Sequence, residues 1–207
     1  MLQIKAEEIG KKFKNEWIFK NLSLEMQTGV PIAIVGPNGS GKSTLMQSLS
    51  GIIPTNSGKV FYTENNQILE EDKWHTKISY AAPYLELIEE FTLIEALKFH
   101  IKFKPFVNNL SIEEFLVNVE LEKHKNKQIK NFSSGMKQKL KLGLVFMSQS
   151  DVFFLDEPSS NLDQNAFNWY FENVQLHLKD KLVIISSNEP REYSFCENHI
   201  NILNYKS

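Results

Sequence analysis

Three patterns of hydrophobic and polar residues run along the chain, and each predicts a different kind of element. "LQIKAEEI" near the start and "NLSLEM" soon after it alternate apolar with polar, the period of strands buried on one face. "PIAIV", "VFFLD" and "LVIIS" are short unbroken apolar runs, typical of strands covered on both faces. Both sheet types are therefore expected. Between the covered strands lie helical periods, most clearly "SSGMKQKLKLGLVFMSQ", where Met136, Leu140, Leu144 and Met147 recur at helical spacing. Strands separated by helices define an α/β fold. From about Phe91 to Leu121 no strand-like run occurs. "TLIEALKFHIKF" and "SIEEFLVNVE" read as two helices parted at Pro105 and "VNN", the second opened by Ser111 with an acid three residues on. This stretch reads as a helical insertion.

Length and composition narrow the picture further. A chain of 207 residues without repeats or long linkers is expected to form one domain, and its end soon after "HINIL" leaves no room for an appended one. Its 23 basic and 25 acidic residues give a formal charge of −2, which provides no electrostatic footprint for nucleic acid. The opening "MLQIKAEEIGKKFK" has no apolar leader, and no run approaches the ~20 apolar residues that cross a bilayer. The expected location is cytosolic or peripheral. Cys196, the single cysteine, permits no internal disulfide or cysteine-based metal cluster and reads as a small packed residue.

The chemistry begins immediately after the run "VPIAIV". Gly36, Gly41, Lys42 and Ser43 meet the pattern Gly, four residues, Gly-Lys-Ser, between a covered strand and the helical "TLMQSLSG". Glycines let successive N–H groups converge on an anion, and the new helix adds its positive end. Lys42 is placed to reach terminal phosphates, and the Ser43 hydroxyl to meet Mg²⁺. The whole loop, from Gly36 through Pro37, Asn38, Gly39 and Ser40 to Gly41, Lys42, Ser43 and Thr44, is expected to wrap the phosphates. Further on, "DVFFLDEPSSNLD" ends an apolar strand in Asp156 and Glu157. The first acid suits the water shell of Mg²⁺, and the second can accept the proton of an attacking water.

With these residues in hand, the chain resembles the ATP-binding cassette ATPases. "FSSGMKQ", with Phe132, Ser133, Ser134, Gly135 and Met136 at its core, looks like that family's signature loop, and "SNLD", Ser160 to Asp163, like its D-loop. The resemblance covers nearly the whole chain in the family's order. It implies a P-loop NTPase with a mixed sheet core, an antiparallel β subdomain and a helical insertion at about 84–135, all in one domain of residues 1–207. It also implies ATP and Mg²⁺ as ligands, and a dimer in which each ATP lies between one chain's phosphate loop and the other's Ser133 and Gly135. Phe13 falls where the family stacks an aromatic on adenine, with Trp17 and Phe19 as alternatives. Lys137, Lys139 and Lys141 follow the signature on the same helix. They oppose its dipole unless they face phosphate or acids, and they read here as a solvated face.

Two positions depart from the family. Where it usually places a glutamine that senses the γ-phosphate and the metal's water, "ISYAAPYLELIEEFT" has Pro83, and a proline offers no donor. Glu86 is a conceivable substitute for the metal but reads as an exposed loop acid. Where the family places a histidine, "LVIISSNEP" has Asn188, whose amide donates but carries no charge. Catalysis is therefore expected to rest on Glu157, Lys42 and Asn188 and to be slow; the alternative is an ATP-driven clamp with negligible turnover. The resemblance further implies a transporter subunit on the cytoplasmic face of a membrane, paired with a like or related cassette and with a membrane-spanning permease. The permease would dock on the insertion, where "YLELIEEFTLIEALKF" offers apolar and acidic residues that equally suit ordinary core. A cassette acting in translation or DNA repair is the alternative class.

Overall fold

The computed structural model describes residues 1–206. In chain order its elements are β1 (Leu2–Phe13), β2 (Glu16–Gln27), β3 (Ile32–Val35), α1 (Lys42–Leu49), β4 (Ser57–Glu64), β5 (Gln67–Leu69), α2 (Trp74–Lys77) and β6 (Ile78–Ala81). There follow α3 (Leu93–His100), α4 (Ile112–Asn118), α5 (Ser134–Met147), β7 (Val152–Asp156), α6 (Gln164–His177), β8 (Leu182–Ser187) and β9 (Asn198–Asn201).

Both expected sheet types are present. The alternating segments form an antiparallel sheet of order β2-β1-β4-β5, and the continuous apolar runs form a parallel sheet of order β6-β7-β8-β3-β9. The parallel strands are apolar throughout because each face supports its own core. Ala33, Phe153, Leu155, Val183 and Ile185 pack with residues of α3 to α6. Their neighbours Ile32, Ile34, Val152, Phe154, Leu182 and Ile184 pack with α1 and the inner face of the antiparallel sheet. Among the described residues, no helix is long and apolar enough to cross a membrane.

The helical segment follows its sequence signals. Thr92 with Glu95 and Ser111 with Glu114 each form a reciprocal capping box, which fixes the starts of α3 and α4. At Asn108 and Asn109 the backbone turns to φ 52 and 57, which parts the two helices. α5 approaches α4 closely at Gly143, where an added Cβ would sit 2.4 Å from Val119 Cγ1.

Register brings the functional segments together. Val35 pairs with Ser187, Asp156 with Ser186 and Ala81 with Leu155, so four strands end at one edge of the parallel sheet. The loops beyond them carry Gly36 to Gly41, Glu157, Asn188 and Pro83. In an open α/β sheet this carboxyl edge is where ligands bind.

Candidate functional site

The phosphate loop folds as a cradle of donors. Gly41 caps α1 at φ 104, and its missing Cβ would fall 2.4 Å from Ile18 Cγ2, so glycine is required for both conformation and close approach. No side chain caps this helix, and Leu45 is the first residue whose N–H finds a helical carbonyl, at Gly41 O (2.9 Å). The N–H groups of Lys42, Ser43 and Thr44 are thus left for a ligand. Lys42 is 4% exposed, and its ammonium donates to the carbonyls of Gly36 (3.0 Å) and Pro37 (3.2 Å). It is a buried cation held only by neutral carbonyls, an arrangement completed by an anion. Ser40 is buried too, with its Oγ unpartnered among the described residues.

Across the sheet edge, Asp156 ends β7 with its side chain 0% exposed. Its Oδ1 has no partner among the described residues, and its Oδ2 accepts from the Tyr84 hydroxyl at 2.5 Å. A buried carboxylate with one oxygen unsatisfied fits a hydrated divalent cation. Beside it Glu157 takes φ 44, unusual for a side chain of its size, while its N–H donates to Ser186 O (2.8 Å). The loop that follows is pinned from two sides. Gln138 Nε2 donates to Pro158 O (2.9 Å), and Ser159 N–H donates to Glu192 Oε1 (2.7 Å). Burial pushes the pKa of the Glu192 carboxyl up.

The signature segment starts α5. Ser133 is its N-cap and accepts from Met136 N–H (3.2 Å), which leaves the N–H of Gly135 at an exposed helix start. A Cβ on Gly135 would meet Asn161 O at 2.9 Å, so the signature lies against the D-loop of the same chain. At the D-loop's end Asp163 caps α6 by accepting from Ala166 N–H (2.8 Å).

At the two departures the geometry differs. Asn188 is exposed just beyond β8. Pro83 directs its carbonyl to Lys141 Nζ (2.7 Å), and the polar contact with Asp156 comes from the next residue, Tyr84. Desolvation raises the Tyr84 phenol's pKa, as does its bond to Asp156, so it is a donor at neutral pH. Glu86 is exposed and lines a groove with Leu87, Phe99, Phe103 and Leu144.

The ABC transporter family model matches residues 19–160, well over half of the 207. The chain belongs to the ABC transporter family. Among curated proteins, it is 29% identical over 206 residues to the linearmycin resistance ATP-binding protein of Bacillus subtilis, covering 97% of this chain and 66% of that protein's length. A putative ABC transporter ATP-binding protein from Pyrococcus furiosus shares the fold with a TM-score of 0.81 at 22% identity, covering 99% and 100% of the two chains. A dimeric ATP-binding cassette bound to ADP and Pi also matches at 0.81 and 22%, covering 98% and 94%. The fold is therefore that of an ABC cassette.

The remaining candidates of this cassette sort by burial. Phe13 is 51% exposed at the tip of the β1–β2 hairpin, with Lys11 Nζ 5.3 Å from its ring centre. Phe19 is 0% exposed and belongs to the core, so it is removed from the aromatic alternatives. Trp17 is half-buried beneath Lys12. The lysines after the signature do not form a solvated face. Lys137 pairs with Glu89 and Lys139 with Glu120, while Lys141 is buried against the carbonyls of Ala82 (3.0 Å) and Pro83. Periodicity alone counted them as surface because partners far along the chain cannot be read from one helix. Tyr84, Gln138 and Glu192 were missed for the same reason. Each reads as an ordinary loop or helix residue until the fold brings its partner near.

Proposed function

We propose that residues 1–207 act as one ATP-hydrolysing cassette, with the helices of 84–135 as its insertion, and that it drives a membrane-embedded transporter. The observation that carries this reading is the meeting, at one sheet edge, of a buried ammonium with an uncapped helix start and a buried carboxylate with one unpartnered oxygen. The N–H groups of Lys42, Ser43 and Thr44, with the Lys42 ammonium, take the terminal phosphates, and the rest of the loop from Gly36 to Gly41 closes around them. Ser43 and Asp156 hold Mg²⁺, which when bound draws charge from the phosphate oxygens. Glu157 accepts the proton of the attacking water, and Asn188 donates an uncharged hydrogen bond to the γ-phosphate. Phe13 stacks on adenine.

A second cassette, identical or related, contributes Ser133 and Gly135 to each nucleotide. Both lie at an exposed helix start, and a cassette of the same fold is known as a dimer with ADP and Pi. The groove lined by Leu87, Phe99 and Phe103 supports docking of a permease helix and, with it, a position on the cytoplasmic face of a membrane. Direct contact with nucleic acid is not part of this reading, since the net charge is −2. One observation favours a second reading, a clamp with negligible turnover: Asn188 is exposed just beyond β8 and carries no charge where the family usually has a histidine.

Calorimetry with ATP tests the reading. Wild type should bind, and Lys42→Ala should bind about tenfold or more weakly, the value of a charge-assisted contact. Equal affinities would remove the phosphate loop from the account.

A further inference from the structure

We propose that Tyr84 is a positioning residue for the metal: its phenol holds one oxygen of Asp156 so that the other stays turned to the metal's water shell. The proposal deepens the ATPase reading and rests on it. Asp156 is fully buried, and one of its oxygens accepts from Tyr84 at 2.5 Å while the other has no partner among the described residues. A carboxylate held at one oxygen by a charge-assisted O–H···O⁻ bond presents the second in a fixed direction. Without that donor, the same group would have two unsatisfied oxygens in a buried place and would turn toward whatever donor it could find.

The surroundings of the hydroxyl fit this task. It lies 3.5 Å from the Tyr80 hydroxyl on β6 and 3.5 Å from Gln47 Nε2 on α1, with the Ser43 side chain beside it. Residues of β6, β7 and α1 therefore meet at one oxygen atom. The backbone that delivers Tyr84 is itself held, because Lys141 Nζ donates to both Ala82 O (3.0 Å) and Pro83 O (2.7 Å). Pro83 adds a fixed φ at that point. The donor that the proline cannot supply is thus provided one residue later, on a longer side chain. Tyr84 is 52% exposed as a whole, so removing its hydroxyl leaves the fold intact while stripping Asp156 of its partner.

The test compares ATP affinity in Mg²⁺ and in EDTA, by calorimetry, for wild type, Tyr84→Phe and Tyr84→Gln. Tyr84→Phe should match wild type within about twofold in EDTA and bind about tenfold more weakly in Mg²⁺, the scale of one bond to a charged group. Tyr84→Gln restores a donor and should recover part of the loss, which a purely structural role for the ring would not allow. A Tyr84→Phe variant with the full Mg²⁺ enhancement of wild type overturns the proposal. A larger enhancement does so as well, since the phenol would then compete with the metal. Loss of ATP binding by wild type itself, with and without Mg²⁺, is a separate result that ends the phosphate-loop reading and this proposal with it.

Discussion

In the phosphate loop and at the end of β7 the side chains of Ser40, Lys42 and Asp156 are buried, and Lys42 is held by backbone carbonyls, whereas at Tyr84 and Asn188, on the same sheet edge, the side chains are exposed. The first region matches its motif residue for residue, while the second departs from the family's pattern at Pro83, beside Tyr84, and at Asn188. The contrast has a physical cause. A loop whose N–H groups and glycine conformations form the site has no freedom to vary, because Gly41 has a side chain of β2 at its Cα. A contact made by the tip of an exposed side chain can be supplied from a neighbouring position or by a weaker donor. On the proposed reading, recognition of phosphate is built into the fold, and the control of turnover is carried by replaceable side chains.

Four substitutions press on that contrast. Glu157→Gln removes the proton acceptor and keeps the shape, so turnover should fall about 10²-fold or more while ATP affinity persists, as steady-state assays and calorimetry would report. If binding were lost as well, the two regions would not be separable. Asn188→His restores a side chain that can carry charge, and turnover should rise severalfold, up to about tenfold. An unchanged rate would mean that the second region does not limit the enzyme. The smallest effects are on stability. Gly41→Ala meets both a left-handed φ and Ile18 and should cost about 1–3 kcal/mol in denaturant melts, while Asn188→Ala should stay within about 0.5 kcal/mol. Similar costs at the two positions would erase the structural half of the comparison.

How much of this was legible beforehand follows the same line. Periodicity separated the half-covered strands β1 and β2 from the fully covered β3, β7 and β8, because burial on one face or two leaves different patterns. The hairpin β4–β5 went unread, although Asn65 and Asn66, at φ 51 and 65, are a two-residue turn signal. The phosphate loop and the Asp156–Glu157 pair could be read because their chemistry is local, concentrated in a few adjacent residues. Tyr84 could not, since its partner lies 72 residues away and only the pairing of β6 with β7 brings them together. Lys139 and Lys141 misled for the complementary reason. A charge within a helical period looks solvated until the acids and carbonyls of other segments are packed over it.

The central claim is that this cassette binds ATP through an intact phosphate loop and hydrolyses it slowly, in pairs, with Pro83 and Asn188 where the family usually has glutamine and histidine. Steady-state hydrolysis by the purified chain across protein concentration, with Glu157→Gln as the blank, tests it most directly. Turnover above the blank that rises faster than linearly with protein is the predicted result. Rates equal to the blank at every concentration, with ATP demonstrably bound, would contradict it.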